Sequence, residues 1–252
     1  MTDHHDGQRV SRRTLVRGVA ALGFGGVLAA CSRESGGTPV GDLGALFASA
    51  NLCTLTESAT QGPYYFDADR VRADIREDRP GTRLRLAFKV VDVDGCTPIE
   101  DAVVEIWHCD ANGLYSGAES LSSAGGAGGS AGDADLTPTD DRRYLRGAQV
   151  TGADGIVQFV TIWPGWYRGR TVHVHVMVHV GNEKTLTTQL MFDEALNAQV
   201  LATQPYAQRT GRDTFNDDDS IYQPSMLLKV TRARDGYVGC IVLNADPDHD
   251  GA

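Results

Sequence analysis

The chain has 252 residues, of which 41% are apolar, enough for a packed core, and 22% are charged, which excludes bulk disorder. Its 23 basic and 33 acidic side chains leave a formal charge of −10 with no basic stripe, which argues against a nucleic-acid binder. No apolar run reaches the roughly 18 residues that a membrane-spanning helix needs.

In chain order, Ser11-Arg12-Arg13-Thr14-Leu15-Val16 precedes a weakly apolar stretch, residues 19–30. A basic segment before an apolar run is the layout of an export signal. The arginine pair points to the twin-arginine route, which carries folded proteins and so hints at a cofactor loaded before export. Leu28-Ala29-Ala30-Cys31 has the form of a bacterial lipobox, with Cys31 as the lipid-bearing residue. Such a lipid anchors a chain to a membrane surface without a spanning helix. The expected division is a signal over 1–30, a Gly-, Ser- and Ala-rich tether over 31–50 and one domain over 51–252. Losing residues 1–30 removes four arginines and two aspartates and takes the charge from −10 to −12. It also accounts for the odd cysteine count. Cys53, Cys96, Cys109 and Cys240 remain, and an oxidising compartment suggests two disulfides among them, with all three pairings open.

Beyond the tether the signals are mostly strands. Leu84, Leu86, Phe88 and Val90 alternate with other residues, and β-branched runs follow at 102–108 and 156–162, the latter after the turn Ala153-Asp154-Gly155. Further runs span 172–180, 186–192, 226–231 and, after Asp235-Gly236, 237–243. One short helix is expected, 193–201, with acidic residues at its start. The low-complexity stretch 122–135 reads as a flexible surface insertion, with a lid over a site as the alternative. Many short strands between Gly and Asp turns imply an all-β, antiparallel β-sandwich with long loops and at most one short helix.

The most informative run is Val172-His173-Val174-His175-Val176-Met177-Val178-His179-Val180. With a period of two, the valines share one face, and His173, His175, Met177 and His179 share the other. Histidines two apart on a strand converge on one point and make half a metal site. His179, farther along, is expected to be exposed or beside the ligands, and His108, next to Trp107, to be structural. Just upstream, Pro164-Gly165-Trp166-Tyr167-Arg168-Gly169-Arg170 brings Tyr167 and Arg170 near the pair. Trp107-His108-Cys109-Asp110-Ala111-Asn112-Gly113-Leu114-Tyr115 ends a strand and presents Tyr115 on a turn.

These segments, with Leu145-Arg146-Gly147-Ala148-Gln149, Phe159-x-Thr161-Ile162-x-Pro164-Gly165 and Thr60-Gln61-Gly62-Pro63-Tyr64-Tyr65, resemble the intradiol ring-cleavage dioxygenases. Catechol and protocatechuate dioxygenases belong to that family. The resemblance runs in order from about residue 53 to 192. It implies a non-haem Fe(III) cofactor held by Tyr115, Tyr167, His173 and His175. Phenolate is a hard anion suited to ferric iron, and the metal charge lowers the phenol pKa. The partners implied are a small aromatic diol and O2, with cis,cis-muconate products. Tyr167 would give way to substrate, Arg170 would face the ring, and Gln189 would stand close behind. Pro63, Tyr64 and Trp166 fall on the expected pocket rim. A cupin-type metal site fits poorly, because the first carboxylate after His175 is Glu183. The alternative in another class is a non-catalytic metal- or ligand-binding surface β-sandwich lipoprotein. The preferred catechol and the oligomeric state, a homodimer included, stay open.

Overall fold

Alternation along the first long strand, β1 (Arg83–Asp92), puts Leu84, Leu86, Phe88 and Val90 on one face, and each is fully buried. In the computed structural model, which describes Phe47 and residues 54–123 and 134–248, that face meets the valine face of β5 (His173–Val180). The chain between them carries β2 (Val103–Trp107), a one-turn helix α1 (Glu119–Ser123), β3 (Arg146–Val150) and β4 (Ile156–Ile162). After β5 come β6 (Glu183–Met191), α2 (Glu194–Leu201), β7 (Lys229–Ala233) and β8 (Gly236–Ala245). Two four-stranded sheets result, β4-β1-β8-β7 and β3-β2-β5-β6. Val172, just before β5, and Val174, Val176 and Val178 of the second sheet pack between the layers with Phe88, Phe159 and Leu190. Each such buried aliphatic stabilises by about 1.5–3 kcal/mol relative to exposure.

The sandwich follows the expectation, with two refinements. β1 and β8 pair in parallel, so the first sheet is mixed rather than wholly antiparallel. The expected helix is α2, whose N-cap Asp193 accepts from the N–H groups of Ala195 and Leu196, a stabilising arrangement, and α1 adds one turn. Strand β3 shows no strand pattern in the sequence: it is five residues long and Gly147 interrupts its β-propensity. The run expected at 226–231 begins later, because residues 224–226 form a 3-10 turn with Pro224 at its start.

The outer face of the second sheet is covered by the chain entering the domain. The Ala59 N–H donates to Thr187 O at the edge of β6 (2.8 Å). Eleven or so residues later, Ala148 N–H donates to Arg70 O (2.8 Å) and Arg72 N–H to Ala148 O (3.0 Å), at the edge of β3. Residues 60–70 therefore cross the sheet and bury whatever its outer face carries.

The signal, the lipobox and nearly all of the tether lie outside the described residues, as do residues 124–133 of the insertion. Among the described residues, no helix is long and apolar enough to cross a membrane. The expectation of two disulfides is corrected. Cys109 and Cys240 are free, buried thiols, while Cys96 is disulfide-bonded and the remaining cysteines lie outside the described residues. Cys109 is inside the fold, where its Sγ donates to Gly165 O (3.5 Å), and Cys240 sits in a small apolar cluster with Ala87 and Val91 on the outer face of the other sheet.

Candidate metal centre

Register across the second sheet lines up Arg146, Trp107, His175 and Gln189 as one row on the covered face. His175 is held flat against Trp107, with ring centroids 4.9 Å apart and planes 5° from parallel. Gly62, in the crossing segment, has φ +73°, and a Cβ there would sit 3.2 Å from His175 Cε1. His173, two residues back on β5, donates from Nδ1 to Thr171 O at 2.7 Å. A carbonyl only accepts, so the free lone pair of His173 is on Nε2.

Two turns supply the tyrosines. In the first, Asp110 Oδ1 accepts from the N–H groups of Asn112 (2.8 Å) and Leu114 (3.0 Å). This closes the loop after β2 and delivers Tyr115, whose own N–H donates to Ser122 Oγ of α1 (3.1 Å). Buried Arg146 donates to Ser116 O and Oγ, both at 3.0 Å, and pins the next residue. In the second, Arg170 N–H donates to Tyr167 O (3.2 Å), folding the chain back immediately before β5.

These elements bring four donor atoms together. From His173 Nε2, Tyr115 Oη is 3.3 Å away, Tyr167 Oη 3.2 Å and His175 Nε2 3.2 Å. One imidazole lone pair accepts one good hydrogen bond, so three neighbours converging on it are not explained by hydrogen bonding alone. His175 Nδ1 is buried with no partner in the structure, which likewise leaves its ring's role outside ordinary satisfaction. A cation among the four atoms would take a lone pair from each. Two imidazole nitrogens and two phenol oxygens suit a hard, high-charge ion, so the residues fit ferric iron.

The electrostatics agree with that use. Burial, with the nearby Arg170 cation, pushes His173 down to about 3. Burial and the adjacent His173 hold His175 far below the ordinary range. Both imidazoles are therefore neutral and ready to donate. Burial drives the phenols of Tyr115 and Tyr167 upward, and the neighbouring phenol adds to the effect at Tyr115, whereas Arg170 offsets part of it at Tyr167. Only a strong local positive charge would ionise them, which a bound metal supplies.

Arg170 is not a surface ion pair. Its side chain is mostly buried, Nε donates to Asp219 Oδ2 at 2.9 Å, and Nη2 donates to Gln189 Oε1. Gln189 in turn donates to Thr60 O (2.9 Å). Burial would lower the Arg170 pKa, but Tyr167 and Asp219 outweigh it and raise it. Tyr64 stacks on Tyr115 at 4.6 Å and meets Tyr167 edge-on at 6.2 Å, so it belongs to the centre's wall. Pro63, beside it, is partly buried. Trp166 is not brought to the centre: its ring packs in the main core, with the Arg209 guanidinium 4.2 Å above it.

His108 is structural as expected, bonded to Cys109 O (2.8 Å) and Thr161 Oγ1 (2.6 Å). His179 is buried rather than exposed. Its Nε2 lies 3.3 Å from Glu105 Oε1, and Tyr65 Oη donates to Glu105 Oε2 (3.1 Å). That pairing needs β2 beside β5, which strand periodicity does not reveal. Asp219, Arg146 and the stacking role of Trp107 also escaped the sequence reading. Asp219 stands in the acidic run Asp217-Asp218-Asp219, where nothing distinguishes it from a solvated charge.

A dioxygenase family model matches residues 60–211. Chlorocatechol 1,2-dioxygenase of Rhodococcus opacus is 28% identical over 55% of this chain and 56% of its own length. Catechol 1,2-dioxygenase 1 of Acinetobacter lwoffii is 29% identical over 53% of this chain and 45% of its own. The chain thus spans about half the length of the curated relatives it matches. Among solved structures, an intradiol ring-cleavage dioxygenase from Tetranychus urticae is 32% identical with a TM-score of 0.71, covering 78% of this chain and 96% of that one. The dioxygenase domain of a carbohydrate-binding fusion from Streptomyces sp. SirexAA-E is 27% identical, with a TM-score of 0.55 over 77% and 99% of the two chains.

Proposed function

This chain belongs to the intradiol ring-cleavage dioxygenases, and from that membership we propose that it is an Fe(III)-dependent enzyme that opens the ring of catechol-type diols with O2 to give cis,cis-muconates. The observation that carries the proposal is the convergence of Tyr115 Oη, Tyr167 Oη and His175 Nε2 on His173 Nε2. These four side chains would hold the iron. When bound, ferric iron supplies Lewis acidity and a template for the two catechol oxygens.

The chain's own residues divide the remaining work. Tyr115 is fully buried and pinned through Ser116 and Ser122, so it would be the permanent ligand. Tyr167 sits on a short turn and is less deeply buried than Tyr115, 6% exposed against 0%, so it is the one that would yield to substrate and take up a catechol proton at Oη. Arg170, fixed by Asp219 and Gln189, places a cation beside the tyrosine that leaves, where it would stabilise negative charge developing on the ring. Tyr64 and the crossing segment 60–70 exclude water. Relatives named for chlorocatechol and catechol support a catechol-class substrate. The twin-arginine pair and lipobox support export, with the enzyme anchored by lipid at Cys31.

The purified protein should be red-brown from phenolate-to-iron charge transfer, and the colour should bleach on reduction or chelation. Tyr115→Phe and His175→Ala should lose iron, colour and oxygen uptake together. An oxygen electrode with catechol, protocatechuate, hydroxyquinol and chlorinated catechols would rank the substrates. A colourless protein carrying stoichiometric zinc, inert toward all of them, sinks the reading.

A further inference from the structure

The matched family stretch ends at residue 211, yet the chain immediately after it returns to the centre. Residues 209–221 are stitched to the turn that carries Tyr167 and Arg170. The Arg209 guanidinium donates to Trp166 O and Asn112 O. The Gly169 N–H donates to Asp213 Oδ1 (3.1 Å). Thr171 Oγ1 donates to Asn216 Oδ1 (2.7 Å), and Asn216 Nδ2 donates to Phe192 O (2.9 Å). Arg212 pairs with Glu194 (2.7 Å).

At the end of this strap stands Asp219, its side chain only 1% exposed. Its Oδ2 accepts from Arg170 Nε (2.9 Å) and from the Thr171 N–H (2.8 Å), and its Oδ1 accepts from the Ile221 N–H (3.0 Å). A carboxylate gripped by two backbone N–H groups cannot follow the arginine; the arginine must follow it. With Nη2 committed to Gln189 Oε1, two corners of the guanidinium plane are fixed, and the plane cannot rotate.

We infer that Asp219 is a positioning residue for Arg170, holding the guanidinium at the metal centre independently of Tyr167. The inference rests on the catechol-dioxygenase reading above. Its consequence is specific. A phenolate that takes up a proton as it leaves its ligand position stops attracting the cation, and an arginine held only by that charge would be released. Asp219 anchors Arg170 through Nε, so the cation stays in place when Tyr167 gives way. Asp219 itself touches neither the four donor atoms nor, on this reading, the substrate.

The test is a double-mutant cycle on the iron-loaded, full-length enzyme, with Asp219→Asn, Arg170→Ala and the pair. Turnover of catechol, affinity for 4-nitrocatechol from its absorbance, iron content and melting temperature are measured for each. Asp219→Asn is expected to lower kcat about 10–100-fold, the scale of misplacing a reacting group by an ångström, with iron content unchanged. In the Arg170→Ala background the same substitution should change kcat or 4-nitrocatechol affinity less than about twofold, because the partner is gone. Asp219→Glu keeps the charge and displaces it by one methylene. It should lose about 3–10-fold and serves if the asparagine variant does not fold. Unchanged kcat in both Asp219 variants overturns the inference, and so does an equal loss with and without Arg170. An iron-loaded wild type that consumes no oxygen with any catechol defeats the functional reading itself, and the inference with it. An active wild type with an indifferent Asp219 defeats the inference alone.

Discussion

Gly62→Ala isolates the contact that sets His175. The native φ is +73°, a left-handed conformation that costs a residue with a Cβ about 1–2 kcal/mol. For a domain of this size that corresponds to a melting temperature lower by about 2–8 °C. The added methyl would also lie 3.2 Å from His175 Cε1, closer than ordinary van der Waals contact, so the ring must give by a few tenths of an ångström. The Trp107 stack resists that movement. Gly181, in the turn between β5 and β6, provides the control: its φ is +62° and a Cβ there meets nothing within 4 Å. Gly181→Ala should show the backbone cost alone. Gly62→Ala should show a similar or larger thermal shift together with iron retention weakened on the order of 10-fold, the usual effect of disturbing a group that orients a ligand. Differential scanning fluorimetry and iron analysis after graded chelation read both quantities. Equal melting temperatures and equal iron retention in the two variants would refute the argument that Gly62 is kept for His175.

The metal-free protein should lose stability on mild acidification. His108 is pushed down to about 4 and His173 to about 3, and His175 also lies well below its ordinary value, each chiefly through burial. The unfolded chain takes up these protons near pH 6.5 while the folded chain does not, so stability is present above that pH and falls below it. Between pH 7 and 5.5 the loss is on the order of 1 kcal/mol per histidine, measurable by urea denaturation; a flat profile would mean the rings are charged when folded. Val176→Ala, on the core face of β5, should cost about 2–3 kcal/mol while leaving iron bound, since it removes buried methyls and touches no donor. Thiol labelling followed by peptide mass mapping should modify Cys109 and Cys240 only after unfolding, because both are free and buried; labelling of Cys109 in the native state would contradict its place in the fold.

Much of the candidate centre was legible in the sequence because the chemistry is local there. A strand has a period of two, so His-x-His among valines assigns ligands and core to opposite faces without any tertiary information. The preceding turn residues place Tyr115 and Tyr167 near the histidines, but their role as ligands comes only from the resemblance to the intradiol dioxygenases. The long strands β1, β4 and β8 carry enough alternation to be recognised, whereas β3, short and broken by Gly147, takes its conformation from the neighbouring β2.

Other features depend on residues far apart in the chain. The parallel pairing of β1 with β8 joins segments about 150 residues apart, and hydrophobic pattern carries no strand order. The free state of Cys109 and Cys240 follows from their separate burial in different layers, which a count of cysteines cannot express. Trp166 turned into the core because Arg209 and the apolar layer beneath the turn receive its ring. Asp219 acquired its three N–H donors only when residues 209–221 folded back on the Arg170 turn. The sequence by itself therefore determined the histidine pair and the valine face opposite it, since those follow from residue type and strand period, while the tyrosines were assigned through the family resemblance. The tertiary structure decided which charges meet, because the partner of a buried charge is chosen by chain return across the fold and not by spacing along it.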